Sequence, residues 1–299
     1  MFIHSTSTFL IKPADDILCL KKELEHYTGE KFRRANKFIL LSLLGGYKCL
    51  HNLKIDKNAA VYLTTENGNL SNTESVLEQI YYKHELPMPY NFINTMSNTA
   101  SFHVAQKLNI SGRNITISSV SLSFERGLEL LKTDFALKNI TEAVIGGVDE
   151  SVLCNSSLIP IVECKNRILR QWYENINRIE GSAWLYVTSE KENAIGEIFD
   201  IKSFIDKKDG IEWLKAKNLS DKESVIVSFG LLIEPPEREI WKKNNLYEAE
   251  FDYIREYGYF DSITSCGISL FLEKYKNKYL VHINKDIQGR YVVLIIKSY

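Results

Sequence analysis

Between Ile115 and Gly147 the chain runs from a short β-branched stretch, ITIS, through a serine-rich turn into a long amphipathic run, and then into EAVIGG. A helix held between two short buried strands is a crossover unit. It commits this part of the chain to a sheet with helices on its faces. The spacing predicts a strand over Ile115–Ser118, a helix from near Ser121 to near Ala136 and a strand over Glu142–Gly147. The same alternation precedes it: a buried helix over Phe38–Leu50, a strand over Ala59–Thr65, and helices over Thr73–Tyr82 and Thr99–Leu108. The stretch from Asp149 to about Arg178, with Pro160 inside it, reads as irregular. Strands then return over Ser182–Thr188, Gly196–Phe204, Ser224–Ser228, Tyr279–Ile283 and Tyr291–Ile296. Between them helices are expected over Ile211–Lys217, Pro235–Lys243 and Ser262–Tyr275. Two successive mixed halves, 1–170 and 171–299, predict a pseudo-duplicated α/β core forming one compact unit.

The 299 residues, 44% hydrophobic and 25% charged, are enough to bury such a core. A net charge of -1 argues against a nucleic-acid partner bound through phosphate neutralisation. No run of about 18 apolar residues occurs, so no membrane span is expected. The opening MFIHSTSTFLIKPADD is a short apolar patch with neither a basic leader nor a small-residue cleavage site. The five cysteines, Cys19, Cys49, Cys154, Cys164 and Cys266, are scattered and never form CxxC. That pattern points away from a disulfide framework or a metal site and towards a reducing cytoplasm. Gly45-Gly46 and Gly146-Gly147 lack the context of a phosphate loop and read as close helix–sheet packing, so no cofactor is expected.

The stretch Asn98–Asp149 resembles the N-terminal half of the β-ketoacyl synthases. The matching parts are Asn98 and His103-Val104-Ala105 in a helix, Gly112, the strand end Thr116-Ile117-Ser118, the turn at Ser121, the helix from Phe124, and Ala143–Gly147. Upstream, Arg33-Arg34 before an apolar helix fits the same family; downstream, Glu180-Gly181-Ser182-Ala183 and the SITSCG of Ser262–Gly267 do so too. The resemblance implies a thiolase-like fold with a pseudo-duplicated αβαβα layered core, shortened relative to a full ketosynthase.

It also implies chemistry this chain lacks. Condensation takes a cysteine thiolate at a helix N-terminus and two histidines that stabilise the enolate. Registered on the family pattern, Ser121 stands at the nucleophile, Phe229 at the first histidine and Asp261 at the second. No histidine occurs between His103 and His282; the others are His4, His26, His51 and His84. The catalytic set is therefore expected to be absent, and activity of the chain alone is not expected. The resemblance is to a chain-length factor, the non-catalytic subunit that pairs with an active ketosynthase in a type II polyketide synthase, making an aromatic polyketide or an aryl polyene.

The partners so implied are a catalytic ketosynthase, in a heterodimer or a dimer of heterodimers, and an acyl carrier protein. Pairing would run through the strand holding Ile115 and Ile117. Phe92, Ile93, Thr95 and Met96 are the candidates for the wall of the product tunnel. Two basic strips, Lys31/Arg33/Arg34/Lys37 and Lys165/Arg167/Arg170, could meet an acidic carrier protein or simply be solvated. Three other readings stay open: an acyltransferase or hydrolase using Ser121, a starter-unit decarboxylase, and an unrelated thiolase-fold binding protein. SVSLS lacks the glycines of a GxSxG elbow, and the decarboxylases of this family keep their histidines.

Overall fold

Buried residues of successive strands point alternately to two faces, and that period of two builds the molecule in layers. The structure, a computed structural model, describes residues 1–13, 16–151, 160–173, 176–219, 224–244, 247 and 249–299. Its first five strands are β1 (Phe2–Ile11), β2 (Ala60–Thr65), β3 (Asn114–Ser118), β4 (Glu142–Asp149) and β5 (Glu180–Thr188). The next five are β6 (Gly196–Phe204), β7 (Val225–Phe229), β8 (Ala249–Glu250), β9 (Tyr279–Lys285) and β10 (Tyr291–Ser298). They stand in the order β3-β2-β4-β5-β1-β6-β10-β9-β7-β8.

Read outward from the β1–β6 junction, both halves have the same order, and the pairing senses match as well. In the first half β2 is parallel to β3 and β4, β4 is antiparallel to β5, and β5 to β1. In the second half β7 is parallel to β8 and β9, β9 is antiparallel to β10, and β10 to β6. The halves join where Phe2 faces Glu197 and Ile3 faces Gly196. The duplication expected from the sequence is thus visible strand by strand. β5 pairs with both β4 and β1, so the first half of the sheet runs from β1 to β5.

On one face of the first half, Val61, Leu63, Val144, Val148 and Trp184 pack under α1 (Ile17–Thr28), α2 (Lys37–Cys49) and α5 (Asn98–Lys107). On the other face, Tyr62, Ile145 and Leu185 meet α6 (Ser123–Ala136) and α11 (Thr264–Lys274). Leu280, Val292 and Leu294 of the second half close on the same two helices. Beyond them, Val227, Val281 and Ile295 pack with Ile211 of α8 (Lys207–Ala216) and Trp241 of α9 (Pro235–Asn244). The succession is αβαβα. Every residue of α2 from Phe38 to Gly46 is buried, and the Asn36 side chain caps its start through the Ile39 N–H. Each buried leucine there contributes about 2 kcal/mol of transfer free energy. Gly45 and Gly146 leave the space that the Trp184 indole fills between helix and sheet, so the glycine pairs serve packing.

Two regions differ from the sequence expectation. The opening apolar patch is the strand β1, placed mid-sheet. The stretch expected to be irregular contains α7 (Pro160–Trp172), which begins at its proline, where a missing N–H costs nothing. Ile168, Leu169 and Tyr173 enter the central core. Cys154 lies outside the described residues; Cys19, Cys49, Cys164 and Cys266 are free thiols. Among the described residues no helix is long and apolar enough to cross a membrane. The remaining helices are α3 (Leu70–Tyr81), α4 (Pro89–Ile93) and α10 (Tyr253–Tyr257).

Candidate functional site

After β3 the chain turns through Ser119–Leu122 into α6, and Leu122 takes the left-handed conformation at φ 63° and ψ 27°. A left-handed leucine costs about 1–2 kcal/mol and marks a sharp strand-to-helix elbow. Its N–H donates to Glu66 Oε1 at 2.9 Å. Ser121 sits one residue earlier, half-buried, with its carbonyl accepting from Ser119 Oγ at 2.7 Å. The elbow therefore presents a buried apolar side chain, one position on from the register read in the sequence.

Around this elbow the ends of β2 and β4, the lead into α11 and the inner face of α7 converge. Lys165 Nζ lies 2.5 Å from Glu66 Oε2 and 2.6 Å from Asp261 Oδ1, all three side chains being 5–6% exposed. Asp261 Oδ2 also accepts from Asn67 Nδ2 at 2.7 Å, Tyr259 donates to its Oδ1 at 3.3 Å, and Arg178 lies at 3.8 Å. At the end of β4, Asp149 Oδ1 accepts from Thr65 Oγ1 at 2.6 Å and from the N–H groups of Glu66 and Asn67 at 2.9 Å.

Three buried carboxyls thus face two cations, and an unpaired buried charge is costly, so the cluster keeps a proton. Burial opposes the charge of Lys165, but the neighbouring Asp261, Tyr259 and Glu66 outweigh it and hold the ammonium well above its usual range. Burial likewise opposes ionisation of Asp261, and Lys165 and Arg178 outweigh that to hold its carboxyl low. Burial drives Glu66 well up against the pull of Lys165. Burial and the charge of Asp261 lift Asp149 to about 7. Lys165 and Asp261 form the charged pair, and the spare proton belongs to Glu66 and Asp149.

A second cluster lies beside it. Glu125 Oε1, in the first turn of α6, accepts from Thr264 Oγ1 and Asn284 Nδ2, both at 2.7 Å. His282 Nε2 stands 3.7 Å from the same oxygen, and its Nδ1 is 2.9 Å from Ser228 Oγ. Burial pushes Glu125 up, yet the nearby His282 and the hydrogen bonds from Asn284 and Thr264 outweigh it and hold the carboxyl below its ordinary value. Between the clusters a cavity of about 20 Å³ remains, walled by Ser121, Leu122, Leu231, Leu232 and Ile263 together with Glu66, Lys165, Tyr259, Asp261, Thr264, Asn284 and Lys285. That is room for one water. None of the six histidines lines it.

The structure brings Ser121 and Asp261 to this cavity but not Phe229. Phe229 ends β7 facing the outer layer, with the Arg238 guanidinium 5.5 Å over its ring. The side chains of β7 that face the centre are Ile226 and, next to Phe229, Ser228. Lys37 and Lys165 leave the two basic strips, the first paired with Glu180 at 3.0 Å and the second buried. Lys31, Arg33, Arg34, Arg167 and Arg170 are exposed. Among the described residues no cluster of His, Cys, Asp and Glu could hold a metal ion. A larger open groove, about 740 Å³ between α3, Glu150 and Glu180, shares no lining residue with these clusters.

The other predicted residues lie at the margin of the sheet. β3 is an edge strand, and Ile115 and Ile117 are half-buried against the central core. Phe92, Ile93 and Met96 are exposed, and Thr95, partly buried, donates to the Phe92 carbonyl at 2.8 Å. α5 ties α4 to this edge: Thr99 donates to the Ile93 carbonyl at 3.1 Å, and Ser101 and Thr116 share a 2.8 Å hydroxyl contact. Phe102 and Val120 add two more exposed apolar side chains.

No protein-family model and no curated protein sequence matches this chain. Solved structures do. The structure described as the ishigamide ketosynthase/chain length factor is similar over 99% of both chains, with a TM-score of 0.77 and 13% identity. A structure of AntDE:AntF, described as a type II PKS acyl-carrier protein in complex with its ketosynthase bound to the hexaketide, is similar over 100% of this chain and 99% of the other, with a TM-score of 0.68 and 13% identity. The PfaC keto synthase-chain length factor matches 99% of this chain and 42% of its own length, with a TM-score of 0.70 and 13% identity. At that identity the likeness establishes the fold: the thiolase-like architecture of ketosynthases.

Proposed function

We propose that this protein is a non-catalytic ketosynthase-like subunit of the chain-length-factor kind, pairing with an active ketosynthase and shaping the tunnel in which a polyketide grows. The observation that carries it is the centre itself. Where a condensing enzyme needs a nucleophile, two histidines and space for an acyl thioester, this chain has Leu122, Asp261 and a buried lysine around about 20 Å³. The described relatives of the fold include ketosynthase/chain length factors and a ketosynthase held by its acyl-carrier protein, which favours those partners here. β3, with Ile115 and Ile117, is the strand through which the two sheets would join. Phe92, Ile93, Thr95 and Met96 would line the tunnel beside it. The exposed arginines would meet the carrier protein, and the complex would work in the cytosol on an aromatic polyketide or aryl polyene.

A hydrolase built on Ser121 is disfavoured, since His282 is engaged by Ser228, Thr264 and Glu125. The test is reconstitution. Alone, with acyl- and malonyl-loaded carrier protein, the chain is expected to give no elongation by mass spectrometry. Co-expressed with a cognate ketosynthase, it is expected to co-purify and to support elongation. Robust condensation by the chain alone would refute the proposal.

A further inference from the structure

We infer that Lys165 is a plug supplied by the chain itself, filling an alkylammonium-shaped slot and pinning α7 over the closed centre. The inference deepens the reading of that centre as a lost acyl site and rests on it for its meaning, but the slot can be tested without a partner.

On α7, Ile168 and Leu169 stand three and four residues after Lys165, and Tyr173 follows just beyond the helix, four after Leu169, so the lysine shares the face that enters the core. Arg167 and Arg170 point outward. A lysine on an inner face is tolerated only when its charge is met. Here Glu66 arrives from the end of β2, Asp261 from the lead into α11, and Asn67 and Tyr259 donate the remaining hydrogen bonds to Asp261. The pair therefore ties three distant segments together through one ammonium. The wall around the slot mixes apolar and aromatic side chains, Leu122, Leu231, Leu232, Ile263 and Tyr253, with polar ones such as Thr264 and Asn284. A side chain reaching through it displaces what the pocket would otherwise admit. Restoring a cysteine and histidines alone would leave the centre shut.

Lys165→Ala keeps the Cβ and removes three carbons and the ammonium, the outline of n-propylammonium. In that variant, free n-propylammonium is expected to raise the thermal midpoint saturably, methylammonium and n-hexylammonium less so, and the wild-type protein not to respond. A variant that folds only when the amine is present supports the slot equally. In the wild-type protein, reductive methylation with formaldehyde and borane, read by peptide mass spectrometry, is expected to modify Lys165 at least about tenfold more slowly than exposed Lys31 and Lys83, since reaction requires opening. Lys165 methylated as fast as those lysines overturns the inference. So does a Lys165→Ala protein as stable as wild type and indifferent to amines. Loss of ketosynthase pairing with the amine response intact would instead count against the proposed function.

Discussion

β3 and β8 hold the same place in the two halves, each the outermost strand beside its half's second strand, yet they end the sheet in opposite ways. β8 is two residues long; Ala249 is exposed, and Glu250 is tied to Arg238 at 3.0 Å and to Lys242. β3 has five residues and is bordered by exposed Phe92, Ile93, Met96, Phe102 and Val120. Short charged edges resist further pairing, whereas a longer apolar margin invites it. One topology, used twice, gives one edge blunted by ion pairs and one left open. Under the proposed function the open one is where the ketosynthase sits.

The largest effect should come from charging that margin. Phe92→Asp with Met96→Asp, both at exposed positions and so harmless to the fold, is expected to weaken pairing with the ketosynthase at least about 100-fold, since buried unpaired charges oppose association. Ala249→Asp on the other edge should leave it unchanged. Size-exclusion chromatography of the co-expressed pair distinguishes them, and equal behaviour of the two edges would break the comparison. Less drastic changes sharpen it. Phe92→Ala should lengthen the product by roughly one or two two-carbon units, and Thr95→Trp should shorten it, because close-packed walls convert side-chain volume into tunnel length. Product masses from intact complexes decide this.

The halves also differ at the ends of their matching strands β4 and β9, the first finishing in Asp149 and the second in Lys285. Asp149 holds its proton in the folded state up to about 7, against an ordinary value of 3.8. Folded protein therefore binds more protons than unfolded across that window, and stability should fall as pH rises through it, by a ceiling of about 4 kcal/mol. Asp149→Asn, whose amide oxygen can accept the same three donors, should flatten that slope in urea titrations between pH 4 and 8. A slope unchanged by the substitution assigns the proton to Glu66 rather than Asp149. The smallest expected change is Ser121→Ala, which should leave elongation by the complex within about threefold of wild type; a loss of several orders of magnitude would make Ser121 a nucleophile.

Much of the layering was legible because buried strands and amphipathic helices carry their periods locally. β1 was not read as a strand because its alternate positions are Ser and Thr, which mute the apolar pattern in FIHSTSTFLI. α7 was missed because Pro160 reads as a breaker unless it opens a helix. At the site, motif order leads to Ser121 and Asp261, both of which line the small cavity, although the elbow itself is Leu122. Phe229 missed the inward face by one residue, and a slip of one in a strand exchanges the two faces. Lys165 had no local signal at all. Its partners stand about a hundred residues away in both directions, and beside Arg167 and Arg170 it looks like part of a solvated strip.

The place of β1 also has a consequence for the order of folding. β1 is made before the rest of its half and pairs with the last strand of that half, β5, Phe2 lying opposite Thr188. At about 5–20 residues per second, the N-terminal strand waits on the order of ten to forty seconds for its partner. During that interval α2, apolar over nearly its whole surface, has no completed sheet to cover it. Non-local closure of this kind slows folding. The nascent first half therefore carries uncovered apolar surface until β5 is made.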